Sequence, residues 1–255
     1  MDLISMKSPE QLTRMRKACR LAAGARALAG SMVAPGVTTR EIDQAVHRYL
    51  KKHGAKPSFL GYAGFPASIC ISINEELIHG IPSGRKLNEG EIVSIDVGAY
   101  IGGFHGDCAA TFPVGEISDE AKRLIKVTEQ SFWEGMKFAK VGYRLGDLSH
   151  AIGSYIESEG YSVVRDYVGH GVGAKLHEPP EVRNFGEPGH GVRLAAGMTL
   201  AVEPMVNQGD YKIKVLGDQW TVVTADGKLC AHYENSILIT QDEVEILTVT
   251  EEDHG

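Results

Sequence analysis

The sequence predicts a mixed α/β (α+β) fold, one domain built from two pseudo-symmetric halves. Three observations predict it. Amphipathic stretches that open on helix-start signals alternate with short β-rich runs, and no Ser/Gly-rich linker divides the chain. The second half also echoes the first. Gly36, Ile42, Ala45, Val46, Tyr49, Leu50 and Gly54 recur 106 residues later as Gly142, Leu148, Ala151, Ile152, Tyr155, Ile156 and Gly160. Leu87, Gly90, Ile95 and Asp96 recur 107 residues later as Leu194, Gly197, Val202 and Glu203. One change of offset is what a duplicated unit with a single insertion gives. The matched glycines favour duplication over the chance likeness of amphipathic helices. The single domain, residues 1–255, then divides into halves of about 1–117 and 118–240. An approximate two-fold places Asp96 and Glu203 on corresponding strands that face one centre.

The elements follow in order. Ser8-Pro9-Glu10-Gln11 reads as a helix start, with a Ser cap, Pro at the first position and Gln completing a capping box. This helix runs to about Met32 and stops before Ala34-Pro35-Gly36. Thr38-Thr39-Arg40-Glu41 offers a second capping box, and Ile42, Ala45, Val46 and Tyr49 share one face of a helix that ends near Gly54. β-rich runs lie around Ser68–Asn74, Ile92–Tyr100 and Phe104–Val114. Helical stretches at about 119–139 and 147–159 precede a strand-rich C-terminal region.

Composition narrows the function. The 255 residues are 43% hydrophobic, enough for a sizeable core. With a net charge of −7 and no Lys/Arg cluster, neither nucleic acid nor an acidic membrane is the expected partner. No secretory signal or bilayer-spanning stretch is evident, and Cys19, Cys70, Cys108 and Cys230 form no C-x-x-C pair. A reduced, cytoplasmic protein is expected.

Five side chains suggest chemistry. Asp96, Glu203 and Glu234 sit within or at the end of apolar, strand-like runs, where a carboxylate costs free energy unless it is paired, hydrogen-bonded or bound to metal. These segments carry too few basic residues to pair them, which points to metal. Asp96 and Asp107 flank Tyr100-Ile101-Gly102-Gly103, a plausible hairpin turn. A turn on Ile101-Gly102 sets the two acids directly opposite, with Cβ atoms about 4.5–5.5 Å apart. Paired catalytic metals are typically about 3.5–4 Å apart, so that spacing suits a dinuclear site. Glu203 precedes Pro204 and closes a strand. Glu234 shares one face of the run Ala231–Ile239 with His232 and Ser236. His170, bracketed by Gly169, Gly171 and Gly173, reads either as a ligand on a backbone freed for unusual angles and close approach or as a His in a flexible loop. Four carboxylates and one imidazole form an oxygen-rich set that favours Mn, Fe, Co or Zn over a thiolate zinc site.

The stretch G-Y-A-G-F-P-A-S-I-C-I-S-I-N-E-E-L-I-H-G-I-P (61–82) resembles the signature of type I methionine aminopeptidases. So do F-H-G-D (104–107), V-V-R-D-Y-V-G-H-G-V-G (163–173), L-H-E-P-P (176–180) and the order Asp-Asp-His-Glu-Glu. The resemblance covers nearly the whole chain. It implies the two-fold "pita-bread" fold, a central antiparallel sheet covered by helices. It also implies removal of the initiator methionine from nascent polypeptides when the second residue is small.

The resemblance further implies two divalent ions per chain (Co, Mn, Fe, Zn or Ni), with Asp107 and Glu234 bridging them, Asp96 on one, and His170 and Glu203 on the other. A water shared between the ions is then the nucleophile. His79 contacts substrate near the scissile amide, and His177 stabilises the developing oxyanion. Glu203 is expected to shuttle the proton, since bridging occupies both oxygens of Asp107 and Glu234. A pocket including Phe59, Tyr62, Phe65, Cys70, Leu176 and Trp220 holds the methionine side chain, although these residues also fit an ordinary core. Relatives often carry an aromatic where Leu176 stands, and Tyr where Phe65 stands, so a slightly reshaped apolar pocket is expected. Cys108 reads as a small buried residue beside a bridging ligand, or as an oxidation-sensitive neighbour of the site. His232 is a candidate to support Glu234.

Two other functions compete. X-Pro peptidases of the same fold usually carry an additional N-terminal domain, whereas only about 60 residues precede G-Y-A-G-F-P here. Non-enzymatic binding proteins on this fold lose metal ligands, and this chain keeps all five. No cysteine-rich N-terminal extension supports a zinc module for ribosome targeting, and no large insertion near Glu203 suggests a type II enzyme. A monomer acting near the ribosome is expected.

Overall fold

The computed structural model describes residues 3–250. Its first half opens on the two helices that the capping boxes predict, α1 (Pro9–Ser31) and α2 (Thr39–Lys52). The Ser8 hydroxyl accepts the Gln11 N–H at 3.3 Å, and the Gln11 side chain accepts the Ser8 N–H at 2.8 Å. Three short strands follow, β1 (Lys56–Pro57), β2 (Cys70–Ile73) and β3 (Glu76–Ile78), then the long pair β4 (Ile92–Ile101) and β5 (Phe104–Pro113). Helices α3 (Asp119–Met136) and α4 (Leu145–Ser158) open the second half. Its strands are β6 (Ser162–Val163), β7 (Gly169–Gly171), β8 (Glu178–Val182), β9 (Thr199–Val202), β10 (Met205–Asn207), β11 (Ile213–Val215), β12 (Val222–Thr224), β13 (Cys230–His232), β14 (Glu234–Ile239) and β15 (Val244–Ile246). Among the described residues, no helix is long and apolar enough to cross a membrane.

The main sheet is antiparallel and runs β1-β4-β5-β14-β9-β7-β8, with β2 also on β4 and β15 also on β14. β5 and β14 meet at its centre, with β4 and β9 outside them. The repeat read from the sequence recurs in backbone detail. Gly36 and Gly142 have φ of 89° and 101°, and Gly90 and Gly197 have 88° and 92°. Thr38 bridges Lys86, and Arg144 bridges Arg193, at the same offsets.

Alternation along β4 assigns its two faces. Val93, Ile95, Val97 and Ala99 share a core with Ala22, Ala25 and Ala29 of α1 and with Ile42, Val46 and Leu50 of α2. Asp96 therefore points to the opposite side. The second core joins Leu124 and Phe132 of α3 and Leu148 and Ile152 of α4 to Leu200, Val202 and Ile237.

The hairpin register corrects the sequence expectation by one residue. Ile101 pairs with Phe104, so the turn is Gly102-Gly103, with φ of 64° and 86°. Two positive angles are the signature of the two-residue turn that matches strand twist. Asp96 therefore faces Ala109, and Asp107 faces Gly98. The two acids stay on one face but lie diagonally, a relation of about 7–8 Å rather than 5 Å.

Candidate metal centre

The sheet order brings the four acids together. Asp96 comes from β4 and Asp107 from β5, Glu203 directly follows β9 ahead of Pro204, and Glu234 opens β14. β14 pairs with both β5 and β9, so Asn235 sits between Cys108 and Val202 and draws the acids of both halves to one place. His170 arrives from β7, paired with Ala201 of β9. Its flanking glycines serve a purpose other than unusual backbone angles. A Cβ at Gly169 would lie 2.3 Å from the Ala201 carbonyl oxygen, and one at Gly171 would lie 2.3 Å from that of Pro179. They let β7 seat tightly between its neighbours, and His170 is held in the sheet rather than in a flexible loop.

Asp107, His170 and Glu234 bring one ligand atom each within 4.8 Å of one another, as do Glu203, His232 and Glu234. Nε2 of His170 lies 3.6 Å from Glu203 and 3.9 Å from Asp107. The predicted run Ala231–Ile239 is broken at Tyr233, between β13 and β14. His232 and Glu234 still converge on Glu203, but the Ser236 hydroxyl turns to the Asp107 backbone, accepting its N–H at 3.1 Å and donating to its carbonyl at 2.8 Å.

The electrostatics are those of an uncompensated acid cluster. Burial pushes all four carboxyls up, Glu203 to about 8, and mutual repulsion adds to the rise at Asp96, Asp107 and Glu234. Burial pushes the His170 and His232 imidazoles down, each to about 3. Asp96 Oδ1, Asp107 Oδ1, Glu234 Oε1 and His232 Nε2 are buried with no hydrogen-bond partner. Buried carboxylate oxygens left unpaired beside one another, with the His170 imidazole close by, fit divalent cations of the Mn, Fe, Co and Zn group.

The centre floors a cavity of about 340 Å³. Phe59, Tyr62, Phe65, Cys70, Leu176 and Trp220 all line it, together with His79 and His177. The Phe65 and Trp220 rings meet edge-on at 5.1 Å. His79 holds a left-handed φ of 59°, uncommon for a residue with a side chain, and its ring stands edge-on to Tyr167 at 5.6 Å. Burial, reinforced by His232 and His177, lowers His79 to about 4. The His177 ring lies 4.2 Å from that of His170, and burial lowers it too. Sequence reasoning missed Ile78, Asp166, Tyr167 and Val168 on the cavity wall. The last three immediately precede Gly169 and His170, and adjacency to a candidate ligand was the available signal. Cys108 is fully buried, its Sγ against the Val97 carbonyl.

Methionine aminopeptidase 1 of Bacillus subtilis is 53% identical over 246 residues, 96% of this chain and 99% of that protein. The crystal structure of methionine aminopeptidase from Thermotoga maritima superposes with a TM-score of 0.95 at 46% identity, covering 96% of this chain and 99% of that one. Prolidase from Pyrococcus furiosus shares the fold, with a TM-score of 0.79 at 24% identity, and this chain covers 66% of it. The profile of metallopeptidase family M24 matches residues 13–241, and the chain belongs to that family.

Proposed function

We propose that the chain is a methionine aminopeptidase that removes the initiator methionine from nascent polypeptides when the second residue is small. The observation that carries this reading is the convergence of Asp96, Asp107, His170, Glu203 and Glu234 at the floor of an apolar cavity. Asp96, Asp107, His170, Glu203 and Glu234 would hold divalent ions, two per chain in this reading. Such ions, when bound, lower the pKa of water and polarise the scissile carbonyl.

The protein's own groups supply the rest. Phe59, Phe65, Leu176 and Trp220 form a wall that suits an unbranched thioether, and the Cys70 thiol adds a polarizable lining. Glu203 takes the proton of the attacking water and hands it to the departing amine, which cannot leave as an anion. His177 donates to the oxygen that becomes negative. His79, neutral at pH 7, hydrogen-bonds near the scissile amide. Action on nascent chains near the ribosome, as a cytoplasmic monomer, fits this role.

The test is a peptide series, Met-X-Ser, given to the protein with added Mn²⁺ or Co²⁺. Release of Met before Gly, Ala or Ser but not before Arg, abolished by chelation, is the expected result. Equal cleavage of Met-Ala and Met-Arg peptides, or cleavage that requires Pro and ignores Met, overturns the proposal. Full activity in chelator removes the metal assignment.

A further inference from the structure

Glu203 is flanked by two imidazoles. Its Oε1 lies 3.6 Å from Nε2 of His170, and its Oε2 lies 3.4 Å from Nε2 of His232. His232 is 1% exposed, and its Nε2 is buried without a hydrogen-bond partner. Nothing about its placement is loose. Its backbone N–H donates to the Thr111 hydroxyl at 3.0 Å, and its carbonyl accepts from that hydroxyl at 2.9 Å. In the ladder, His232 faces Met205, two residues beyond Glu203. The fold therefore holds this ring against one oxygen of one carboxylate.

We propose that His232 is a positioning residue for Glu203. Its Nε2–H donates to Oε2, which leaves Oε1, the oxygen on the His170 side, available to an ion that Glu203 and His170 would hold together. The proposal rests on the reading of Glu203 as a metal ligand. A neutral imidazole has one N–H and one lone pair, so Nε2 cannot both donate to Glu203 and ligate an ion. Ligating carboxylates are themselves held by hydrogen bonds, and loss of such a partner typically costs about 10–100-fold in metal affinity. Without the donor, the Glu203 carboxylate is free to rotate and its oxygens lose their separate tasks.

The test uses the full chain stripped of metal, with Mn²⁺ as the probe. Calorimetric titration compares the wild type with His232→Ala and His232→Gln. Gln keeps an N–H donor at similar reach but is a poor substitute for an imidazole ligand. Pulsed electron paramagnetic resonance counts the imidazoles on Mn²⁺ in the wild type, a reading that needs no variant to fold. We expect one coordinated imidazole, that of His170. We expect His232→Ala to weaken Mn²⁺ binding about 10–100-fold, with restoration in His232→Gln. The loss of activity in His232→Ala should fall on kcat rather than KM. Two imidazoles in the wild type, or a His232→Ala protein that binds Mn²⁺ as the wild type does, overturns the proposal while leaving the metal centre intact. A wild type that takes up no Mn²⁺ overturns the metal centre itself, and this proposal with it.

Discussion

The Tyr62 hydroxyl lies 2.7 Å from Nδ1 of His177. With the phenol donating, Nδ1 is the acceptor and the ring proton sits on Nε2, the tautomer required by the donation proposed for His177 toward a developing oxyanion. Tyr62 thus has two tasks, lining the cavity and fixing the state of its neighbour. A net hydrogen bond is worth about 0.5–1.5 kcal/mol, so Tyr62→Phe should lower kcat roughly 2–10-fold. His177→Ala should lower it about 10²–10³-fold. Metal content should stay near the wild-type level in both, as measured by elemental analysis. Metal loss in proportion to activity would instead make His177 a ligand.

Glu203→Gln keeps the shape of the side chain and one acceptor oxygen but removes the base proposed there. The expected fall in kcat is about 10²–10⁴-fold. Metal must be measured alongside, because an amide is the weaker ligand. A fully loaded Glu203→Gln enzyme with near wild-type kcat would move the proton transfer to another group.

Stability of the metal-free protein should depend on pH with a sign set by two opposing groups. Carboxyls with raised pKa values keep protons in the folded state that the unfolded chain gives up near pH 4, so they favour the fold less as pH rises through the folded value. Histidines with lowered values act oppositely, and their contribution is complete by about pH 6.5. Below that pH the two offset. Between about pH 6.5 and 8, only the carboxyls change, and a single one contributes a loss of about 1.4 kcal/mol per pH unit. Scanning calorimetry should show Tm falling over that range without metal and holding with Mn²⁺. A rising Tm in the metal-free protein would contradict the acid cluster.

The Lys7 ammonium and the Glu178 carboxylate meet at 2.6 Å, with side chains 3% and 10% exposed. The other Glu178 oxygen accepts the Lys175 N–H at 3.0 Å, so this pair ties the segment before α1 to the turn that carries Leu176 and His177. Removing one partner of a buried pair costs about 3–5 kcal/mol. Lys7→Met should therefore shift urea unfolding by that amount, and Lys7→Arg by much less. A shift under about 1 kcal/mol, the level of an exposed pair, would mean that the pair is solvated.

What the sequence disclosed follows from the range of the forces involved. The Ser8 and Thr38 capping boxes act within four residues, and both helices begin where those boxes place them. Asp96, Glu203 and Glu234 were legible because a carboxylate in an apolar run is anomalous on its face. The hairpin register was not, since Ile101-Gly102 and Gly102-Gly103 both read as turns and only the side-chain packing of β4 and β5 chooses between them. Lys7 gave no signal, because its partner lies 171 residues away. His232 was visible as a neighbour of Glu234, but its closeness to Glu203 depends on β10 and β13 pairing across the second half.

The central strand of the sheet is among the last to be made. β14 joins β5 to β9, yet it follows both in the chain. A ribosome that has released β9 (Thr199–Val202) but not yet β14 (Glu234–Ile239) holds a chain whose two inner edges have nothing to pair with. Such distant pairing makes folding slow, because loop-closure entropy must be overcome before the contacts form. Until Glu234 arrives the candidate metal centre lacks a member, so a protein proposed to process newborn chains cannot do so for as long as it is one itself.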